Sequence, residues 1–389
     1  MIDNNMSTPS GMRDWLKGEA KDKRTLTNKL LDTLGGWGYQ EITTPILEYY
    51  QVLVQGESGS EPDQLYKLID RDGSILALRP EMTTPIARVV SNKIQGKAPW
   101  RLMYGGEVFR YEDIQTGKQR QFGQVGVELI GQKGPEADGE ILALAIESLQ
   151  EMGLDSFTVS LGHTGILAGI LHSLSGDDRE IAQARSLILE KDFVGLQHLL
   201  EKTGLGQSAI NRLVDLLTKP LNDVTELADY QGFPAPIQEA LIELIDIVQI
   251  VEEYGYSSFI QVDLSTLRHQ TYYTGMVFEI YTRGIGYPIG GGGRYDHLLC
   301  RFGKDYPATG FALGVERLLL SVPSREQSSQ LVLLAAGGTN ICPQMLVQKA
   351  RSLRKEGRSV TTLLRRIARE EAEKLAQERN AELCWLEEV

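Results

Sequence analysis

WRLMYGGEVFRYE (residues 100–112) and RQFGQVGVELIG (residues 120–131) are two β-prone stretches joined by the polar segment DIQTGKQ. Alternating apolar and polar residues on both sides of a polar tip predict an antiparallel hairpin with a long loop. Side chains alternate faces along a strand, so Arg110 and Glu112 share one face of the first arm, and Gln124, Gly126 and Glu128 share one face of the second. A turn centred near Gln115 and Thr116 puts all five on one side of the sheet and sets Gly106 opposite Gly126, a bare patch where a small ligand can rest on backbone. The guanidinium of Arg110 suits a carboxylate or phosphate, and Gln124 and Glu128 offer acceptors to an ammonium or an imidazole N–H. Ordinary cross-strand charge pairs on a solvated face are the competing reading of the same pattern.

Working outward, Leu26, Leu30, Leu31 and Leu34 recur at helical spacing and predict a helix over 19–34 that Gly35-Gly36 ends. EITTPILE (41–48) reads as an extended piece and SILALRP (74–80) as a strand. Thr84 opens a helix with Pro85 in its first turn. Glu81 and Thr83 stand where that strand ends, a position that presents binding groups or simply caps the helix. A helix is expected over 136–152, a strand over 156–162, and a helical block over about 165–255, after which strands resume at 259–265 and 276–281. LRHQTYYTG (267–275) combines Arg268 with Tyr272 and Tyr273. Adjacent tyrosines on a strand point opposite ways, so only one faces a given pocket and the other belongs to packing.

GGGGRYD (290–296) invites a phosphate-loop reading, but it matches neither GxxxxGK[ST] nor GxGxxG, so glycines that permit tight strand packing are at least as good an account. A helix is expected from near Gly310, with Arg317 on its first turns. PSREQSSQ marks a linker over 322–330, and strand, turn and helix signals over 331–389 predict a small α/β unit. The expected organisation is a core domain over 1–321 with the helical insertion inside it, then the linker, then the small unit.

Composition bounds the function. Hydrophobic residues make up 42% and charged residues 24%, the mixture of an ordinary globular protein. No apolar run of about 18 residues occurs, and MIDNNMSTPS lacks a signal-peptide layout, so a cytoplasmic location and no membrane partner are expected. Cys300, Cys342 and Cys384 are far apart and the five histidines are scattered, which predicts no metal site. The formal charge is −12, and residues 163–256 carry 15 acidic and 6 basic side chains, a net of −9. A chain so charged is poorly suited to wrapping nucleic acid.

Taken in order, TPILE (44–48), LRPEMTTPIAR (78–88), VFRYE…RQFGQVGVELIG (108–131), YYTGMVFE (272–279), GGGGRYD (290–296) and GFALGVERL (310–318) resemble histidyl-tRNA synthetases over about residues 8–320. The resemblance implies an α+β class II aminoacyl-tRNA synthetase-like fold: an antiparallel sheet flanked by helices, with dimerisation around TPILE. It implies that Glu81, Thr83, Arg110, Gln124, Glu128 and Tyr273 line a histidine pocket, Tyr272 joining the candidate set, and that Arg268 occupies the position of the family's catalytic arginine. Arg110 and Arg317 correspond to the arginines that hold ATP phosphates in the enzymes, contacts that would here be vestigial.

The departures point to a paralogue. Where the synthetases read RGLDYY, this chain reads Arg268-His269-Gln270-Thr271-Tyr272-Tyr273, and Gln121 and Gly126 replace two acids of the motif 2 region. QxGVELIG is closer to the synthetase-like regulators of histidine biosynthesis. The tail after the linker, about 60 residues, is short for an anticodon-binding domain. The resemblance therefore implies a non-catalytic regulatory subunit of ATP phosphoribosyltransferase, without cofactor, metal or tRNA. Its expected partners are the short-form catalytic subunit, histidine as effector, and a second copy of itself within a hetero-octamer. A divergent histidyl-tRNA synthetase is the alternative.

Overall fold

A computed structural model of the chain describes residues 7–56, 62–111, 119–172, 178–202, 206–221, 227, 233–266, 272–322, 331–337, 343–365 and 367–386. The chain divides into two units, Met1–Pro323 and Ser324–Val389. Apart from Val322, the expected linker lies outside the described residues.

The first unit opens with α1 (Lys17–Gly36), whose Leu26, Leu30 and Leu34 are buried on one face. The helix runs through Gly35 and Gly36 instead of stopping at them. Its end is set by Gly38 at φ +82°, a left-handed conformation that glycine adopts without a Cβ penalty. There follow β1 (Gln40–Glu41), β2 (Leu47–Tyr49), α2 (Tyr50–Gln55), β3 (Lys67–Ile69), β4 (Ile75–Leu78), α3 (Thr83–Asn92) and the long arms β5 (Trp100–Phe109) and β6 (Gln121–Ile130). Next come α4 (Pro135–Glu151) and β7 (Phe157–His163). The helical insertion is α5 (Thr164–His172), α6 (Asp178–Leu189), α7 (Phe193–Leu200), α8 (Gln207–Thr218) and α9 (Ala235–Glu253). The unit closes with β8 (Ile260–Val262), β9 (Met276–Thr282), β10 (Gly290–Arg294), β11 (Ala308–Gly314) and α10 (Val315–Ser321).

Eight of these strands form one sheet in the order β1-β5-β6-β11-β10-β9-β7-β8. Its interior pairs are antiparallel, and only the outermost pairs, β1 with β5 and β7 with β8, are parallel. A separate antiparallel sheet, β2-β4-β3, stands beside it.

The expected hairpin forms, but its register differs by two positions. Gly106 pairs with Gln124 and Tyr104 with Gly126, so the two glycines are not opposite each other. A two-residue shift leaves every side chain on its expected face. It does remove the bare patch. A Cβ at Gly106 would lie 2.5 Å from Nη2 of Arg79, and one at Gly126 would lie 2.1 Å from the Phe311 carbonyl and 2.6 Å from the Tyr104 hydroxyl. Both glycines make room for protein, not for a ligand. Glu112 and the proposed turn centre lie outside the described residues.

The sheet separates two cores. Val125, Val127 and Leu129 point toward α1, α4 and the insertion, whereas Tyr104, Val108 and Ile130 pack with Met82, Ile86 and Val90. The glycine run is a strand inside the sheet, not a phosphate loop, and it packs as tightly as its composition suggests. A Cβ at Gly292 would lie 2.0 Å from the Gly310 carbonyl. Gly310 belongs to β11, and the helix expected there starts at Val315 because residues 308–314 alternate between the sheet's two faces.

In the second unit β12 (Leu331–Ala336), β13 (Val360–Thr362) and β14 (Ala381–Leu386) form a parallel sheet in the order β13-β12-β14, connected through α11 (Pro343–Lys355) and α12 (Arg369–Glu378).

Candidate functional site: a polar pocket on the sheet

On the face of the sheet that carries Tyr104, a pocket is lined by Glu81, Thr83, Arg110, Gln124, Glu128, Tyr272 and Tyr273, with Tyr104, Tyr295 and backbone of β10 and β11 completing it. Seven of the eight pocket residues expected from the sequence converge here. The eighth, Arg268, lies outside the described residues.

Each arm of the hairpin delivers its groups by alternation. Gln124 and Glu128 stand on one face of β6, with Gly126 between them leaving room for the Tyr104 hydroxyl. Glu128 is 1% exposed. The hydroxyl of Thr83 donates to its Oε1 at 2.8 Å, and the Tyr295 hydroxyl donates to its Oε2. Burial pushes the Glu128 carboxyl up to about 8; the neighbouring Glu81 charge adds to the rise, and the bonds from Tyr295 and Thr83 oppose it. Gln124 Oε1 is buried with no hydrogen-bond partner among the described residues. An orphan acceptor in a pocket is a place for a donor.

Glu81 ends the segment after β4 and is 4% exposed. It caps α3 by accepting the backbone N–H groups of Thr83 and Thr84, so the capping alternative is realised, and the same carboxyl lines the pocket. Burial raises its pKa, while those bonds and the Arg110 charge pull it down. Arg110 is held by its Nε donating to the Pro80 carbonyl at 2.8 Å, and its guanidinium lies 5.4 Å from the centre of the Phe122 ring. Nearby, Arg79 fixes the TPILE segment, with Nη1 donating to the Thr44 carbonyl at 2.7 Å and Nε to the Glu107 carbonyl at 2.9 Å.

Tyr272 and Tyr273 both line the pocket, contrary to the expectation that one must turn away. They precede β9 and are not on a strand, so alternation does not apply; their ring centres are 4.9 Å apart. Tyr295 was missed by sequence reasoning, although Gly291, Gly293 and Tyr295 are alternate residues leading out of β10 on the pocket side. Reading the glycine run as a strand would have found it. Arg317 is not among the pocket-lining residues: its Nη1 donates to the Pro288 carbonyl at 2.6 Å and its guanidinium lies 5.0 Å from the centre of the Tyr287 ring. Among the described residues no group of three or more His, Cys, Asp and Glu is placed to hold a metal.

A family model described as histidyl-tRNA synthetase matches residues 11–318. The chain is 39% identical over 385 residues to a Moorella thermoacetica protein named ATP phosphoribosyltransferase regulatory subunit, covering 98% of each. The chain belongs to the ATP phosphoribosyltransferase regulatory subunit family. A crystal structure from Bacillus halodurans C, described as an ATP phosphoribosyltransferase regulatory subunit/histidyl-tRNA synthetase, aligns with a TM-score of 0.86 at 32% identity, over 98% of this chain and 99% of that one. Histidyl-tRNA synthetase from Nostoc sp. PCC 7120 aligns with a TM-score of 0.79 at 22% identity, over 97% of this chain and 90% of that one, a likeness of fold. In this member of the regulatory subunit family the converging groups are acceptors, hydroxyls and one guanidinium, an inventory suited to holding a small zwitterion with a hydrogen-bonding side chain.

Proposed function

We propose that this chain is the non-catalytic regulatory subunit of an ATP phosphoribosyltransferase and that its pocket holds free histidine. The short catalytic partner joins ATP to phosphoribosyl pyrophosphate; this chain enables that reaction and conveys feedback by histidine. The observation that carries the reading is the convergence of Glu81, Gln124 and Glu128 with Arg110 in one pocket. The acids and the amide suit the ammonium and imidazole N–H groups, and Arg110 suits the carboxylate. Feedback then amounts to a coupling of about 1–3 kcal/mol between this pocket and the partner's active site.

Two further features support the assembly. Leu47, Tyr49 and Leu68 share one face of the β2-β4-β3 sheet and are exposed, an apolar patch that fits a homodimer through the TPILE region inside a hetero-octamer. In α9, Ile237, Leu241, Leu244, Val248 and Val251 are buried while Glu239, Asp246, Glu252 and Glu253 face solvent. The acidity of the insertion thus lies where it repels a phosphate backbone, which disfavours tRNA. We place the protein in the cytoplasm; no helix among the described residues is long and apolar enough to cross a membrane.

The test is co-purification of the untagged short transferase with this chain, followed by transferase assays with and without histidine. Activation by this chain and inhibition by histidine are expected. A divergent synthetase is favoured by the retained Arg110, Arg268 and Arg317, and histidine-dependent pyrophosphate exchange followed by tRNA charging would establish it instead.

A further inference from the structure

The wall of the pocket is tied to the helical insertion by a four-residue span. Tyr272 and Tyr273 line the pocket. Thr274 follows, its N–H donating to the Arg294 carbonyl at 2.8 Å and its hydroxyl accepting the Asp296 N–H at 3.0 Å. The Gly275 carbonyl then accepts both the N–H of Thr164, at 3.0 Å, and the Thr164 hydroxyl, at 3.2 Å. Thr164 is the first residue of α5, so the insertion begins on the backbone of the segment that forms the pocket wall. Gly275 has little freedom to give way, because a Cβ there would lie 3.0 Å from Cδ of Arg294, whose guanidinium is bound to the buried Asp138 at 2.8 Å.

From α5 the link continues to α9. A Cβ at Gly169 would lie 2.3 Å from Ile237, and one at Gly165 would lie 3.0 Å from Ala240. His163, the residue before α5, joins the two helices: its Nε2 lies 3.2 Å from Glu243 of α9 and its Nδ1 accepts the Gly165 N–H at 3.0 Å. Close-packed contacts of this kind move together, because an interior at crystal-like density cannot absorb a shift locally.

We propose that the helical insertion is the conformational output of the pocket: a ligand that fixes Tyr272 and Tyr273 favours the docked state of the α5 N-terminus through Gly275 and Thr164, and with it α9. The inference rests on the histidine reading of the pocket and assigns the element that answers to it. A ligand shifts such an equilibrium only by its preference for one state, here the state in which residues 272–275 are held.

Hydrogen–deuterium exchange of the full chain with and without free histidine tests this, with calorimetry of histidine binding alongside. Exchange in α5 and α9 is expected to slow by roughly fivefold or more, together with exchange in the pocket segments. Thr164→Pro removes both bonds to Gly275. Proline is tolerated at the first helical position, and His163 before it is already extended as proline requires. In that variant histidine affinity is expected to stay within about threefold while the slowing in α5 and α9 disappears. Thr164→Val, which keeps the N–H and loses the hydroxyl, is expected to show part of that loss and serves if the proline variant does not fold. Protection confined to the pocket segments, or protection of α5 that persists in Thr164→Pro, would overturn the inference and leave the histidine reading standing. Absence of both binding and protection would remove the histidine reading and this inference with it.

Discussion

The Tyr295 hydroxyl donates to Oε2 of Glu128, and with Thr83 on the other oxygen it fixes the plane of a carboxyl buried in the middle of an eight-stranded sheet. Tyr295 is itself buried, and burial beside the Glu128 charge pushes its own pKa well above the usual phenol range, so it remains a donor. The pocket acid is thereby aimed before any ligand arrives, which lowers the ordering cost of binding.

Stability should depend on pH through Glu128. Its carboxyl rises from an ordinary 4.5 to about 8 in the folded chain, so the folded state holds the proton more tightly than the unfolded state does. The resulting contribution is fully present below about pH 4.5 and is lost as pH rises through about 8. Urea midpoints from pH 5 to 9 should therefore fall more steeply for the native chain than for Glu128→Gln. Parallel curves would show that this carboxyl titrates normally.

Arg294 and Asp138 form an ion pair whose side chains are 5% and 0% exposed. Arg294→Met leaves a buried carboxylate without its partner and should cost about 3–5 kcal/mol at pH 8. Burial already raises Asp138 to about 6, so the loss should shrink near pH 5.5, where the orphaned acid takes up a proton. Chemical denaturation at the two pH values measures both quantities, and an equal loss at each would contradict this account.

Gly126→Ala would place a methyl group 2.1 Å from the Phe311 carbonyl and 2.6 Å from the Tyr104 hydroxyl. Because one of these neighbours is backbone of the paired strand, the sheet must shift, at a cost of about 1–3 kcal/mol. A thermal midpoint equal to that of the native chain would mean that the contact relaxes freely.

Much of the site was legible because the hairpin alternates cleanly: Arg110, Gln124 and Glu128 reached the expected face even though the register differed by two. The register itself was not legible. Nor was the packing of Arg79 above Gly106, a contact between segments whose proximity no local pattern encodes. Tyr272 and Tyr273 were misassigned for a related reason, since a rule for strands was applied to residues that precede one. The helix expected at Gly310 failed because glycines and alternating small apolar residues serve a central strand as readily as a helix start. The two bonds from Thr164 to Gly275 join positions more than a hundred residues apart, and nothing in either neighbourhood announces them.

Calorimetric titration of histidine into the full chain and into Glu128→Ala addresses the central claim most directly. At pH 9, where the Glu128 carboxyl is ionised, the account predicts one histidine site in the native chain and a loss of about 1.5–3 kcal/mol in the variant, from removal of a charge-assisted partner. Equal affinity in the two proteins, or no binding to either, would contradict it.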